Sequence, residues 1–125
     1  MTATVEMPNP QHELGRRGEV LAARYLQSKG LKLLSRNWWH KDGELDLVLA
    51  DGGLVVFCEV KTRAGTGFGA PEEAVDERKA RRIRKLAHAW LSEFRIPWCE
   101  TRFDIVAILW EPSGPPRVRH IEGAF

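Results

Sequence analysis

The spacing of apolar and polar positions changes repeatedly along the chain, and each change marks an element. Between residues 13 and 29, Leu14, Val20, Leu21, Ala22, Tyr25 and Leu26 fall mostly at helical spacing. Gly30 then ends that helix. Residues 31–39 read as a short strand, and Lys41-Asp42-Gly43 as a turn. Residues 44–50 predict a second strand, with Leu45, Leu47 and Leu49 on one face and Glu44, Asp46 and Val48 on the other. Asp51-Gly52-Gly53 is a hairpin signal. The third strand, residues 54–61, opens with the unbroken apolar run Leu54-Val55-Val56-Phe57-Cys58, so both its faces should be covered.

Residues 62–71 predict a loop, with Gly65, Gly67 and Gly69. Residues 72–94 should contain the longest helix, striped by Ala80, Ile83, Ala87, Trp90, Leu91 and Phe94. Residues 103–110 form a fourth, strongly apolar strand. After a turn-rich connector, residues 117–121 form a short edge strand. Short turns make the first three strands an antiparallel meander. The long helix allows a right-handed crossover, which lays the fourth strand parallel to the third. The fold class is therefore α/β, a mixed sheet flanked by helices. Residues 1–11, with Pro8, Asn9 and Pro10, read as a mobile tail, and residues 12–125 as one domain.

Composition changes this picture little. The chain is 43% hydrophobic and 29% charged, as in ordinary soluble proteins. It holds no apolar run of membrane-spanning length, and residues 1–11 lack an apolar stretch with a cleavage signal, so a cytoplasmic location is expected. The two cysteines, Cys58 and Cys99, have no zinc-type spacing and should form no disulfide in a reducing compartment. His12, His40, His88 and His120 are scattered and suggest no imidazole site.

A net charge of +2 neither demands nor excludes nucleic acid, but the charge is clustered. Arg78, Lys79, Arg81, Arg82, Arg84 and Lys85 crowd the start of the long helix. Such a run is either a solvated face, partly paired with Glu77, or a phosphate-contacting surface. Lys79 precedes the apolar Ile83 by four residues and should point toward the sheet.

The informative residues are Asp46, Glu59 and Lys61. Side chains two apart on a strand share a face, roughly 6–7 Å apart, so Glu59 and Lys61 point the same way. Folding back at the glycine turn pairs residues whose numbers sum to about 104–105, which sets Asp46 opposite position 58 or 59. Two partly buried carboxylates repel, and desolvating each costs several kcal/mol. A divalent cation relieves both penalties, with Asp46, Glu59 and the Val60 carbonyl as ligands. Lys61 would face the attacking water and the phosphate. The alternative is an ion pair of Glu59 and Lys61 with Asp46 or Arg63, and Glu-x-Lys alone is a weak motif. Glu19 alone reads as a solvated helix residue or a partner for Arg16 or Arg17.

The runs Gly43-Glu44-Leu45-Asp46-Leu47-Val48 and Val56-Phe57-Cys58-Glu59-Val60-Lys61-Thr62-Arg63 resemble the YraN family of small bacterial proteins. The resemblance extends to Gly18-Glu19, Arg36-Asn37, Phe68-Gly69-Ala70-Pro71, Lys79, Arg102-Phe103-Asp104 and His120-Ile121-Glu122-Gly123-Ala124-Phe125. Cys58 and Gly123 depart from the family pattern, which more often has valine and asparagine there. The resemblance implies a restriction-endonuclease-like fold of the PD-(D/E)xK superfamily, similar in layout to archaeal Holliday-junction resolvases. It implies Glu19, Asp46, Glu59 and Lys61 as catalytic residues and Mg²⁺ or Mn²⁺ as cofactor. The implied reaction is hydrolysis of DNA phosphodiesters, on branched or recombination-type DNA by analogy.

The expected nucleic-acid contacts are Arg63, Arg78, Lys79, Arg82 and Lys85. A homodimer would suit a substrate cut twice. The competing functions are a nucleic-acid-binding module that does not cut, and a protein-interaction subunit. Among the remaining residues, Thr62 is expected to give a supporting hydrogen bond, and Phe68 to anchor its loop or stack on a base. Trp38, Trp39 and Trp90 are expected in the core or an interface. Asp104 is expected to be a structural partner for Arg102 or Lys61.

Overall fold

A computed structural model describes residues 9–65 and 75–125 of the chain. The elements run α1 (Pro10–Ser28), β1 (Lys32–His40), β2 (Gly43–Asp51), β3 (Leu54–Arg63), α2 (Glu77–Glu93), β4 (Thr101–Leu109) and β5 (Arg117–Ile121). The five strands lie in the order β1-β2-β3-β4-β5. Only the β3–β4 pair is parallel, as the crossover through α2 requires. This is the layout expected from the hydrophobic pattern and from the restriction-endonuclease-like resemblance.

Both helix starts are set by caps, and the start of α1 differs from expectation. The Asn9 side chain accepts a hydrogen bond from the Gln11 N–H at 2.9 Å, and Pro10 supplies a preset φ at the first helical position. Helix α1 therefore starts at Pro10, inside the segment expected to be a tail. The Asp76 side chain accepts from the Lys79 N–H at 2.8 Å and fixes the start of α2 at Glu77. Helix α2 thus has 17 residues against 19 in α1, so it is not the longest helix described. Phe68 and the rest of residues 66–74, like residues 1–8, lie outside the described residues. No helix among the described residues is long and apolar enough to cross a membrane.

The sheet is covered on both faces. Against α2 lie Leu45, Val48, Phe57 and Ile105, packed on Ile83, Leu86 and Trp90. Against α1 lie Leu47, Leu49, Val56, Cys58, Val106 and Ile108, packed on Ala22, Ala23 and Leu26. Trp90 is core, edge-on to Phe57, and its N–H donates to Ser35 Oγ at 3.0 Å. Trp38 is partly buried against the α2-side core, whereas Trp39 is 72% exposed. Cys58 and Cys99 are free thiols.

The expected alternation in β2 fails at one place. Leu45 faces α2 with Val48, while Leu47 and Leu49 face α1. The alternation breaks at Asp46. The β1–β2 register passes from Arg36↔Leu47 to Trp38↔Leu45 with no Asn37–Asp46 pair between them. Asn37 has φ of 48°, the left-handed region that asparagine tolerates better than most residues. The break thus falls on both strands at the same level.

Asp104 is fully buried at the start of β4. Its carboxylate takes both Arg102 Nε (2.8 Å) and Nη2 (2.9 Å), the Gly123 N–H (3.0 Å) and His120 Nε2 (2.7 Å). Lys29 Nζ lies 2.8 Å from His120 Nδ1. An ammonium only donates, so Nδ1 accepts and the ring proton sits on Nε2, facing Asp104. Burial alone would raise the Asp104 pKa, but Arg102, the Gly123 N–H and His120 outweigh it and hold the group below 3.8. Asp104 is therefore a structural partner of Arg102, and it ties α1, β4 and the C-terminal segment together. We expect Asp104→Ala to leave His120 without its acceptor and Arg102 with only its longer contacts to Asp51 (3.6 Å) and Glu122 (3.8 Å), and to cost about 3 kcal/mol in urea unfolding. A loss below about 1 kcal/mol would show the network to be peripheral.

Candidate metal centre

Helix α1 turns a stripe of small residues, Gly18, Ala22 and Ala23, toward the sheet. A Cβ on Gly18 would lie 1.7 Å from Thr62 Oγ1 on β3. The bare backbone at Gly18 therefore sets how closely α1 approaches β3. Glu19, the next residue, is carried down with it and is half-buried. Thr62 Oγ1 is buried and finds no hydrogen-bond partner among the described residues. The supporting hydrogen bond expected of Thr62 is therefore not seen, and the residue serves as the surface on which α1 rests.

The β2–β3 ladder runs from Asp51↔Leu54 to Leu47↔Cys58. Asp46 lies just beyond that last pair, at the level of Glu59, as the turn register predicts. Here Asp46 Oδ2 accepts the Val60 N–H at 2.9 Å, a bond a strand carbonyl would otherwise take. A residue's N–H and C=O leave a strand on the same side, so the Val60 carbonyl also faces β2. Glu19, Glu44 and Asp46 bring carboxylate oxygens within 4.8 Å of one another. The Asn37 side-chain amide donates to Glu44 Oε1 at 2.5 Å and also to Glu19 Oε2.

Glu59 lies outside this trio. Its carboxylate, 12% exposed, is held by Lys79 Nζ of α2 at 3.0 Å. Lys79 thus reaches the sheet, as its spacing from Ile83 indicates. Lys61 is exposed on β3, and among the described residues no carboxylate pairs with it. The ion pair of Lys61 with Asp46 is therefore not formed. Of the other basic residues, Arg78, Arg82 and Lys85 are exposed on α2. Lys85 reaches Asp42 at 3.8 Å, a contact too exposed to matter much. Arg84 lies over the rings of Phe103 and Phe125. Arg63 is half-buried at the end of β3, its carbonyl accepting from the Trp110 N–H at 2.7 Å.

The structure adds two residues that sequence reasoning did not assign to the site. Glu44 is two before Asp46 on the same strand, a spacing that marks it as a neighbour. Asn37 stands opposite Asp46 in the first hairpin, since His40↔Gly43 and Arg36↔Leu47 bracket that position.

Electrostatics separates this cluster from the satisfied carboxylate of Asp104. Burial pushes the Asp46 pKa from 3.8 up to about 8, with the Glu59 charge next and Glu19 and Glu44 adding, against the Val60 N–H. Glu19 is also raised, chiefly by burial and further by Glu44 and Glu59, while Asn37 and Arg36 oppose the shift. The donors are carboxylate and carbonyl oxygens, the set that suits Mg²⁺ or Mn²⁺ rather than a thiophilic metal. Cys58 offers no competing thiolate, because burial and the nearby Asp104, Asp46 and Glu59 push its thiol well above its usual range.

The family model described as "Uncharacterised protein family UPF0102" matches residues 18–108, a span that opens at Gly18 and contains Glu19, Asn37, Glu44, Asp46, Glu59, Lys61 and Lys79. The chain belongs to the UPF0102 family. This is the family whose motifs it resembles under the name YraN. A UPF0102 protein of Frankia alni is 54% identical over 112 residues, covering 90% of this chain and 93% of the relative. A UPF0102 protein of Rhodococcus opacus is 49% identical over 112 residues, covering 90% and 95%.

Between the unfolded pKa of 3.8 and the folded value of about 8, the native UPF0102 chain keeps a proton on Asp46 that the unfolded chain has released. Stability of the cation-free protein should therefore fall as pH rises from about 4 to about 8. Asp104 contributes in the opposite sense, losing its stabilisation only as pH falls through the acid range. Asp46→Asn keeps an acceptor for the Val60 N–H but removes the charge. It should raise the cation-free melting temperature near pH 8 and abolish any rise on adding Mg²⁺. A melting temperature equal to wild type across that range would refute the strained cluster. Gly18→Ala should cost about 1–3 kcal/mol by overpacking against Thr62 and weaken the response to Mg²⁺ with it. An unchanged stability would show that α1 can retreat without penalty.

Proposed function

We propose that the protein is a Mg²⁺- or Mn²⁺-dependent nuclease that hydrolyses DNA phosphodiester bonds, with branched DNA as the first substrate to test. The observation that carries this is the acidic cluster Glu19–Glu44–Asp46 where β2 parts from β3, with an exposed Lys61, unpaired among the described residues, just past Glu59 on the neighbouring strand. Structural carboxylates are normally given donors, as Asp104 is. These share one Asn37 amide and one Val60 N–H and otherwise face each other, an arrangement that costs stability unless a cation resolves it.

Asp46, Glu19 and Glu44 would hold the cation, with Glu59 and the Val60 carbonyl beside them. When bound, the cation supplies positive charge for the attacked phosphate and lowers the pKa of water. Asp46 must give up its proton to take part, so activity should rise with pH toward about 8. Lys61 supplies an exposed ammonium for the developing charge on phosphate. Lys79 keeps Glu59 neutralised in the absence of a cation. The exposed arginines and lysines of α2 hold the nucleic-acid backbone, Arg78, Arg82 and Lys85 among them. A homodimer belongs to this proposal if both strands of a branch are cut.

One observation favours a second reading, a module of the same fold that binds nucleic acid without cutting it. The Lys79–Glu59 ion pair withdraws from the cluster one carboxylate that the motif assigns to the metal. The two readings part on a panel of branched, single-stranded and duplex DNAs with Mg²⁺ or Mn²⁺. The nuclease predicts cleavage that falls by about 10²–10³ in Lys61→Ala and disappears in Asp46→Asn. Salt-dependent binding with no cleavage in any metal would select the binding module.

A further inference from the structure

Helix α1 carries basic residues of its own, on the flank turned away from its small-residue stripe. Arg16, Arg17 and Arg24 line an open groove of about 330 Å³ together with Val20, Leu21 and Trp110. The lining holds three guanidinium groups and no carboxylate. Among the described residues no acidic side chain forms a salt bridge with any of the three. The Arg17 guanidinium lies over the Trp110 ring, 4.2 Å from its centroid.

The groove's position matters as much as its charge. Trp110 directly follows β4, and its N–H donates to the Arg63 carbonyl at the end of β3. Lys61 is two residues upstream of Arg63. Glu19 lies on the same stretch of α1 as the arginines. The groove therefore opens at the end of the sheet that carries the acidic centre, on the α1 side, while the basic run of α2 lies on the other side.

The chemistry narrows the occupant. Arg16 and Arg24 are eight residues apart on the helix, roughly 12 Å along its axis, enough to meet more than one phosphate of a strand. That spacing gives two phosphates of one strand a separate arginine each. Guanidinium and indole planes are the surfaces on which unpaired bases stack, and a duplex offers no unpaired base to them. We propose that Arg16, Arg17, Arg24 and Trp110 form a binding surface for a single-stranded segment of nucleic acid. Arg16 and Arg24 hold its phosphates, and an unpaired base rests on the Arg17–Trp110 pair. The proposal shares nucleic acid with the functional reading above but does not depend on cleavage.

The test is fluorescence anisotropy of labelled 12-nucleotide single strands and matching duplexes, on the full chain with a chelator present so that nothing is cut. Arg16→Ala/Arg24→Ala should weaken single-strand binding about tenfold and lower the salt slope by about 1.4, at about 0.7 per phosphate contact, with melting temperature unchanged. Arg17→Ala, which leaves the Trp110 packing in place, should weaken the single strand several-fold more than the duplex. Trp110→Leu should do the same if it folds, and the arginine variants stand without it. Unchanged affinity and slope in the double variant would overturn the proposal, and so would equal losses on single strand and duplex in Arg17→Ala. So would competition by polyglutamate of equal charge as strong as by the oligonucleotide, since that marks an acidic-protein surface. A wild-type chain that binds single strands through these residues but never cuts would leave this proposal standing and the nuclease fallen.

Discussion

Glu19, Glu44 and Asp46 face one another with too few donors between them, and much of the structure is arranged around that deficit. One Asn37 amide serves two of the carboxylates, and one backbone N–H, from Val60, serves the third. Asp104 shows what the same fold does when it only needs to bury a charge. It supplies a bidentate arginine, a histidine and a backbone N–H. The two aspartates consequently shift in opposite directions, Asp46 upward and Asp104 downward. Asp104 is matched with donors and shifts as a structural carboxylate does, whereas Asp46 shifts as carboxylates at functional sites often do.

Each element that frames the cluster gives up some regularity for it. Helix α1 uses Gly18, where any side chain would collide with Thr62, so that Glu19 can come down onto the sheet. Strand β1 turns through a positive φ at Asn37, and β2 loses its alternation at Asp46. The β2–β3 ladder stops so that the Val60 N–H meets a carboxylate in place of a strand carbonyl. The C-terminal end of α1 is tied down instead. Lys29, His120 and Asp104 join α1 to β4 and β5, so the helix that carries Glu19 is fixed at its C-terminal end.

Much of this was legible in the residues. The Asp51-Gly52-Gly53 turn fixes the hairpin register and so places Asp46 beside Glu59. The length of the connection between β3 and β4 makes those strands parallel. The spacing of Lys79 and Ile83 points Lys79 at the sheet. What escaped depends on tertiary contacts. Strict alternation put Leu45 with Leu47, because nothing in β2 alone reveals the irregularity opposite Asn37. Glu44 read as one polar residue of a strand face until Glu19 arrived from α1 to meet it. The pairing of Glu59 with Lys79 needed the distance between α2 and β3, which the pattern does not contain. The early start of α1 is written in Asn9-Pro10, a cap followed by a proline at the first helical position, although the same prolines also suit an irregular tail.

If the cluster is a cation site, the proton on Asp46 occupies the place a divalent cation would take. Isothermal titration of Mg²⁺ near pH 7, repeated in two buffers of different ionisation enthalpy, measures this directly. Binding should be accompanied by release of about one proton per cation. Binding with no proton release, or no binding at millimolar Mg²⁺, would contradict it.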